Sequence, residues 1–242
     1  MGLALCAVVA GARSFTAIAE WAADADEQTL RTLGVSGVVP SKSAFRRTLQ
    51  RLDADAFDAL AGARAQQATM PGPKARRVIE VDGKTLRGPA SGDHLLAALD
   101  HAHGAVLGQV ELGAKTSEVP VFPVLLGRMD ITGAVITAGA MHAQRGHATY
   151  LAGRGAHFLL TVKRNQPGLF AQLAALPWRQ VPVAHDARER GHGRAERRIL
   201  KVTAVTAGLA FPYAAQAIHI VRRRRLSQKK KRSARPSMRS PR

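Results

Sequence analysis

Val78-Ile79-Glu80-Val81-Asp82-Gly83-Lys84-Thr85-Leu86-Arg87-Gly88 is the stretch on which the reading of this chain turns. Val78, Ile79 and Val81 are β-branched and suit a pleated, half-buried surface. Gly83 reads as the end of that strand, where a residue without a Cβ lets the chain turn. The strand then spans Val78–Asp82 and delivers one carboxylate, Asp82, to a glycine turn with Lys84 and Arg87 beyond it. Two readings stay open on this stretch alone. Asp-Gly after a strand is a common hairpin signal, and a carboxylate at the end of a central strand is equally a place for a divalent-cation ligand.

Downstream, His94–Asp100 and Ala105–Leu112 read as two more strands around a turn at His101–Gly104. Connections this short leave no room for crossover helices, so the three strands form an antiparallel meander. Ser117–Met129 is expected to be helical despite Pro120 and Pro123, because a proline is tolerated in a first turn. A fourth strand is expected at Ala134–Thr137, a helix at Gln144–Ala152, a fifth strand at His157–Val162 and a helix at Gly168–Leu176. Three meandering strands followed by helix, strand, helix and strand predict an α/β fold. Its form is a ribonuclease-H-like mixed sheet with flanking helices. In that fold the metal-binding acids sit at the end of the first strand, near the fourth strand and on a later helix. Asp82 fills the first of these places.

Further on, Arg188–Lys201 reads as a strand that Ile199–Val205 continues. Alternation puts His192, Arg194, Glu196 and Arg198 on one face, where they either grip phosphate or form an ion-pair ladder. Phe211–Val221 is strand-like. Residues 222–242 hold 11 Lys and Arg and no acid. With no apolar periodicity they are expected to be a disordered basic tail.

Upstream, residues 3–33 read as an Ala- and Leu-rich helical hairpin with Ser14 and Asp24 as candidate caps. Ser41 is expected to cap the next helix, whose apolar face is Ala44, Phe45, Leu49 and Leu52. Arg46, Arg47 and Arg51 lie on its other faces, which either dock on DNA phosphates or form a solvated basic surface. Asp55–Gln67 is a further helix. The Pro/Gly punctuation of Ala68–Lys74 is the expected domain boundary. The expected organisation is a helical region over 1–67, a ribonuclease-H-like domain over 75–221 and a basic tail over 222–242.

The charge agrees with a polyanionic partner. The 242 residues carry a formal net charge of +19, and discounting the tail still leaves +8 on the rest. A body this basic favours nucleic acid. The single cysteine, Cys6, excludes a disulfide framework and a Cys-based zinc site, and fits a reducing cytosol. Leu3–Ala12 is apolar but too short to span a bilayer, so no membrane association is expected. The nine histidines offer no metal quartet by spacing.

Several separated motifs then agree. They are Asp82–Gly88; Val106-Leu107-Gly108-Gln109; Lys115-Thr116-Ser117-Glu118-Val119; Gly139-Ala140-Met141-His142-Ala143-Gln144; Leu160–Gln166; and Gly191-His192-Gly193-Arg194-Ala195-Glu196-Arg197. In order and spacing the chain resembles the DDE transposases of bacterial insertion sequences, in the ISAs-type branch that includes the H-repeat-associated proteins. The resemblance covers roughly residues 3–221. It implies metal-dependent phosphodiester cleavage and strand transfer, with Asp82 as a metal ligand and catalytic acid. Two Mg²⁺ ions would activate the nucleophile and stabilise the leaving oxygen. It also implies DNA as partner, held by Lys84, Arg87, Lys115, Lys163, Arg164 and Arg194 with Arg46 and Arg47, a homodimer, and a cytoplasmic, nucleoid-associated location.

The chain departs from the family pattern in two places. The family's second acid stands in an Asp-Ala-Met sequence, and here that position is Gly139. The third acid, a Glu in a His-Trp-x-Ile-Glu-Asn-like segment, finds no counterpart. Glu196 is the remaining candidate, although it reads better as part of the strand insertion. The expectation is a truncated, catalytically inactive copy that still binds DNA. The alternatives are an active nuclease using Asp82 and Glu196, or the non-functional product of a decayed gene.

Overall fold

The computed structural model describes residues 1–72, 75–86, 92, 94–113, 116–191, 194–205 and 208–226. The chain divides into two compact units, Met1–Ala68 and Thr69–Arg242.

The first unit is helical: α1 (Gly2–Val9), α2 (Phe15–Asp24), α3 (Glu27–Thr32), α4 (Lys42–Gln50) and α5 (Ala54–Ala68). Its core is built from Leu3, Ala4 and Ala7 of α1, Ile18 and Ala22 of α2, and Phe45 of α4, with Trp21, Leu33 and Leu49 packed around it. Ser14 and Ser41 cap α2 and α4 as expected, accepting from the N–H groups of Ala17 at 3.1 Å and Ala44 at 3.3 Å. Residues 3–33 differ from the expected hairpin in holding three helices. Asp24 ends α2 instead of capping, and Asp26 caps α3 through the Thr29 N–H at 2.7 Å.

The second unit holds a five-stranded mixed sheet in the order β3-β2-β1-β4-β5. The strands are β1 (Val78–Thr85), β2 (His94–Asp100), β3 (Ala105–Leu112), β4 (Val135–Ala138) and β5 (His157–Leu160). β1, β2 and β3 pair antiparallel, while β4 pairs parallel with both β1 and β5. This is the ribonuclease-H-like arrangement expected from the order of elements.

One face of the sheet is covered by α6 (Glu118–Gly127) and α7 (Arg145–Gly153), which belong to a core of Ile79, Val81, Leu96, Ile136, Phe122, Leu125 and Leu151, all almost fully buried. Each such side chain contributes on the order of 1.5–3 kcal/mol by leaving water. Residues of the other parity on β1, Glu80, Asp82 and Lys84, are exposed.

The prolines of α6 leave a traceable mark. Pro123 has no N–H, so the carbonyl of Val119 four residues earlier gains no bond from it. His147 of α7 supplies the missing donor, its Nε2 lying 3.0 Å from that oxygen. The Tyr150 hydroxyl donates to the Pro123 carbonyl at 3.1 Å. A sequence hostile to helix interiors thus becomes an α6–α7 contact.

Two boundaries differ from the sequence reading. β1 does not end at Gly83. It runs on to Thr85 because β2 keeps pairing with it, Gly83 opposite Leu96 and Thr85 opposite His94. Residues 188–205 are not one strand either. β6 (Val183–Gly191) and β7 (Arg194–Ala204) form an antiparallel hairpin, and β8 (Gln216–Leu226) completes a second, three-stranded sheet in the order β6-β7-β8. Residues 222–226, expected to open the tail, are therefore strand, each paired with a β7 residue from Arg198 back to Arg194. Residues 227–242 lie outside the described residues. Among the described residues, no helix is long and apolar enough to cross a membrane.

Candidate functional site at the carboxyl ends of the parallel strands

The parallel pairing of β1 with β4 ends at Val81 opposite Ala138. Asp82 and Gly139 are the residues that follow this last pair on their two strands, Gly139 leading into a 3-10 turn over Ala140–His142. Beyond β5 lies the Lys163–Gln166 loop, and the Asn165 side-chain amide donates to the Ala140 carbonyl at 2.9 Å. Thus Asp82, Gly139 and the Lys163-Arg164-Asn165 segment meet at the carboxyl ends of three neighbouring strands. In open α/β sheets that is where ligands bind.

Asp82 is half exposed, and its carboxylate is ion-paired with Lys84, two residues on and on the same side of the strand. The pair holds the Lys84 ammonium above its usual pKa, chiefly through the hydrogen bond from Lys84 to the carboxylate. Gly139 is exposed, and a Cβ built on it meets nothing within 4 Å. There is room for a side chain at this position, and glycine supplies none. Lys163 and Arg164 are exposed.

Gly83 is not a turn residue; its φ is not positive. What it provides is close approach. A Cβ there would lie 2.0 Å from Glu118 Oε1 and 2.6 Å from His94 Nε2. The space left by the missing side chain is occupied by a polar cluster that the sequence reading did not identify. Glu118, at the start of α6, is 15 % exposed and receives two imidazoles: His94 Nε2 at 2.8 Å on Oε1 and His142 Nε2 at 3.0 Å on Oε2. His94 Nδ1 lies 3.0 Å from Thr85 Oγ1. The ring thus bridges the Glu118 carboxylate and the Thr85 hydroxyl, a group able to donate or accept.

His142 is buried against Phe122, ring centroids 4.8 Å apart. Burial pushes its pKa below the ordinary histidine value, and Glu118 and Asp82 oppose the shift. Its Nδ1 is buried and without a hydrogen-bond partner among the described residues. The signal for Glu118 lay inside the quoted Lys115–Val119 motif. An acid in a first helical turn, however, also reads as one favoured by the helix dipole. Its two partners, 24 residues away on either side, become visible only once the chain is folded.

Glu196 lies in β7 of the second sheet. Its carboxylate is buried under three guanidinium groups: Arg198 Nε at 2.7 Å, Arg222 through two contacts of which the longer is 2.9 Å, and Arg224 Nε at 3.2 Å. The hydrogen bond from Arg222 is the main reason that its pKa is lowered to about 2, with burial opposing and Arg198 adding to the shift. Every face of this carboxylate is engaged in the ion-pair ladder, one of the two outcomes expected for the row around Arg194. Arg46 and Arg47 are exposed on α4 in the first unit. Arg87, Lys115 and His192 lie outside the described residues, as does the side chain of Arg194.

A pair of Mg²⁺ ions needs converging carboxylates. Among the described residues at the end of the β1–β4 pairing, Asp82 projects one, and Lys84 is ion-paired with it. Glu118 lies by Gly83, of opposite strand parity, and is committed to two histidines. Among the described residues no group of three His, Cys, Asp or Glu side chains is placed to hold a metal ion. The residues present do not fit a two-ion centre.

Comparison with known proteins adds to this geometry. Residues 73–227 match the family described as Transposase DDE domain, and residues 1–63 match the one described as DDE_Tnp_1-associated. The chain is similar to "Putative transposase YncI" of Escherichia coli O157:H7, 28% identical over 219 residues, which cover 84% of this chain and 55% of that protein. Similarity to the protein of the same name in Escherichia coli K12 has the same identity and covers 84% of this chain and 86% of the relative. "H repeat-associated putative transposase YhhI" of that strain is 34% identical over 134 residues, 50% of this chain and 35% of its own length. The chain thus spans about half the length of the first of these relatives.

Proposed function

The chain belongs to the Transposase DDE domain family, and from that premise we propose that it is a catalytically defective copy of a DNA-transposing enzyme that keeps DNA as its partner. The observation that carries this reading is that Gly139, which directly follows the last parallel pair Val81–Ala138, carries no side chain where the family pattern has a second acid. One exposed carboxylate neutralised by its own Lys84 gives a divalent ion a single weak ligand. The loss of a second carboxylate also removes the means of holding two ions across one phosphodiester. Divalent metal in this family supplies the activated nucleophile and the charge that stabilises the leaving oxygen. This chain's residues at that place do neither. The engagement of Glu196 with three arginines supports the same reading, because it keeps the other candidate acid from serving as a ligand.

DNA as partner is supported by the net charge of +19 and by the exposed Lys163 and Arg164 beside the strand ends. Phosphate contacts by such residues position a duplex without reading its sequence.

The test is a nicking assay on element-end and on unrelated duplexes with Mg²⁺ or Mn²⁺, alongside a binding titration. The expected result is binding that weakens as salt rises, with no cleavage. Metal-dependent nicking by the unaltered protein that disappears in Asp82→Asn would overturn the proposal of a defective site. An affinity for DNA that is absent, or indifferent to salt, would overturn the proposal of a DNA partner.

A further inference from the structure

The two faces of the three-stranded sheet treat their arginines differently. On one face Glu196 takes Arg198, Arg222 and Arg224, and Glu189 lies 3.6 Å from Arg198. The other face carries Arg188 and Arg190 of β6, Arg197 of β7, and Arg223 and Arg225 of β8. In register, Arg188 is opposite Arg197, which is opposite Arg223. Arg190 is opposite Ala195, which is opposite Arg225. The one acid there, Asp186, is taken by Arg197, with Nε 2.8 Å from Oδ1. Arg188, Arg190, Arg223 and Arg225 are exposed and form no ion pair among the described residues. Like charges directly opposite on neighbouring strands are destabilising, and the single carboxylate of Asp186, hydrogen-bonded to Arg197 and acting on Arg188 only through space, is outnumbered five to one by the guanidiniums of this face among the described residues.

We propose that this arginine face is a docking surface for the backbone of double-stranded DNA, with Arg188, Arg190, Arg223 and Arg225 as its phosphate contacts. The inference rests on the DNA-binding reading above and gives it a location that the sequence reading missed. The row singled out from the sequence, around Glu196, lies on the internally paired face. Strands lie about 4.8 Å apart and alternate residues about 7 Å apart, so the guanidiniums form a two-row grid suited to successive phosphates. Among the described residues this end of the face has no aromatic side chain on which an unpaired base would stack. Its apolar side chains, Ile199 and Val221, are half-buried and offer no exposed anchor for a lipid surface. Trp178 meets this face nearer its other end, beside His219 and with its carbonyl bonded to Lys201. The chemistry at the arginine end is therefore guanidinium alone, which fits a duplex backbone best.

The test compares the protein with R188Q/R223Q/R225Q by anisotropy of a labelled duplex of arbitrary sequence across a salt series. Three lost phosphate contacts should flatten the slope of log K against log salt by about 2–3 and lower affinity on the order of a hundredfold near 0.1 M salt. R188K/R223K/R225K keeps the charge and should keep the slope. The single R225Q, at the edge strand, should lower the slope by about 1 and guards against misfolding of the triple variant. Full-chain binding with an unchanged slope in the Gln variants would overturn this surface while leaving the DNA-binding reading intact. No salt-dependent binding by the unaltered protein would overturn both. A loss of binding to single-stranded oligonucleotide or to anionic vesicles that exceeds the loss for duplex would overturn the duplex assignment.

Discussion

Gly83 and Gly139 both lie just past the parallel pairing of β1 with β4 and do opposite things. At Gly83 the missing side chain is filled by Glu118 and His94, and a Cβ would sit 2.0 Å from the Glu118 oxygen. Gly83→Ala should therefore destabilise the second unit by about 1–3 kcal/mol, the usual cost of overpacking. It should also separate Glu118 from His94; urea denaturation and the His94 imidazole resonances report the two effects. Gly139 has an ordinary negative φ and open space around it. Gly139→Ala should stay within about 0.5 kcal/mol of the unaltered protein, measured in the same denaturation experiment. Equal effects at the two positions would contradict this assignment of their roles. The contrast also bears on the proposed loss of an acid at 139: the backbone there accepts a side chain, so glycine at this position is a matter of residue identity.

At the level of elements, two contacts hold the unit's less regular parts in place. The first is His147, whose imidazole stacks on Phe122 at 4.2 Å and serves the Val119 carbonyl left over by Pro123. His147→Phe keeps a ring in the stack and removes the donor. It should cost about 1–3 kcal/mol, the price of a buried unsatisfied carbonyl; a variant as stable as the unaltered protein would show that the helix satisfies Val119 without His147. The second is Glu196, which ties β7 to β8. The arginines hold its carboxyl at about 2 in the folded chain, below the ordinary glutamate value of 4.5, so the ionised form favours the folded state. The stabilisation is fully present above about pH 4.5 and is lost as pH falls toward 2. Asp186, held low mainly by its hydrogen bond from Arg197, has the same sign. Glu196→Gln should lower stability at neutral pH and flatten its decline between those pH values. A pH series of denaturation midpoints measures this, and parallel curves for the two proteins would refute it.

For the whole molecule, charge and punctuation set the expectations. The chain passes from one compact unit to the other at Ala68–Thr69, at the start of the proline- and glycine-marked stretch over 68–74. Limited proteolysis should cut first in that stretch and leave a resistant fragment spanning the strands from β1 to β8. Uniform digestion would point instead to a chain without a stable fold.

Residue order along the chain was enough to define the ribonuclease-H-like succession of elements. Short connections force a meander, and alternating apolar positions define which sides of β1 and β4 are buried. It also determined the family resemblance and the absence of an acid at 139, because these are matters of residue identity and spacing along the chain. Only the tertiary structure decided what Gly83 is for, since close approach depends on Glu118 and His94, distant residues that no local pattern connects to it. Likewise, it alone decided that β1 continues to Thr85, because pairing with β2 overrides the turn tendency of Asp-Gly. The fate of the basic residues depended on it too. Arg222–Arg225 have the composition of a disordered tail, and they become strand because β7 offers a paired backbone and Glu196 a buried carboxylate. Which arginines remain without a partner follows from strand register, and register is a property of the folded sheet.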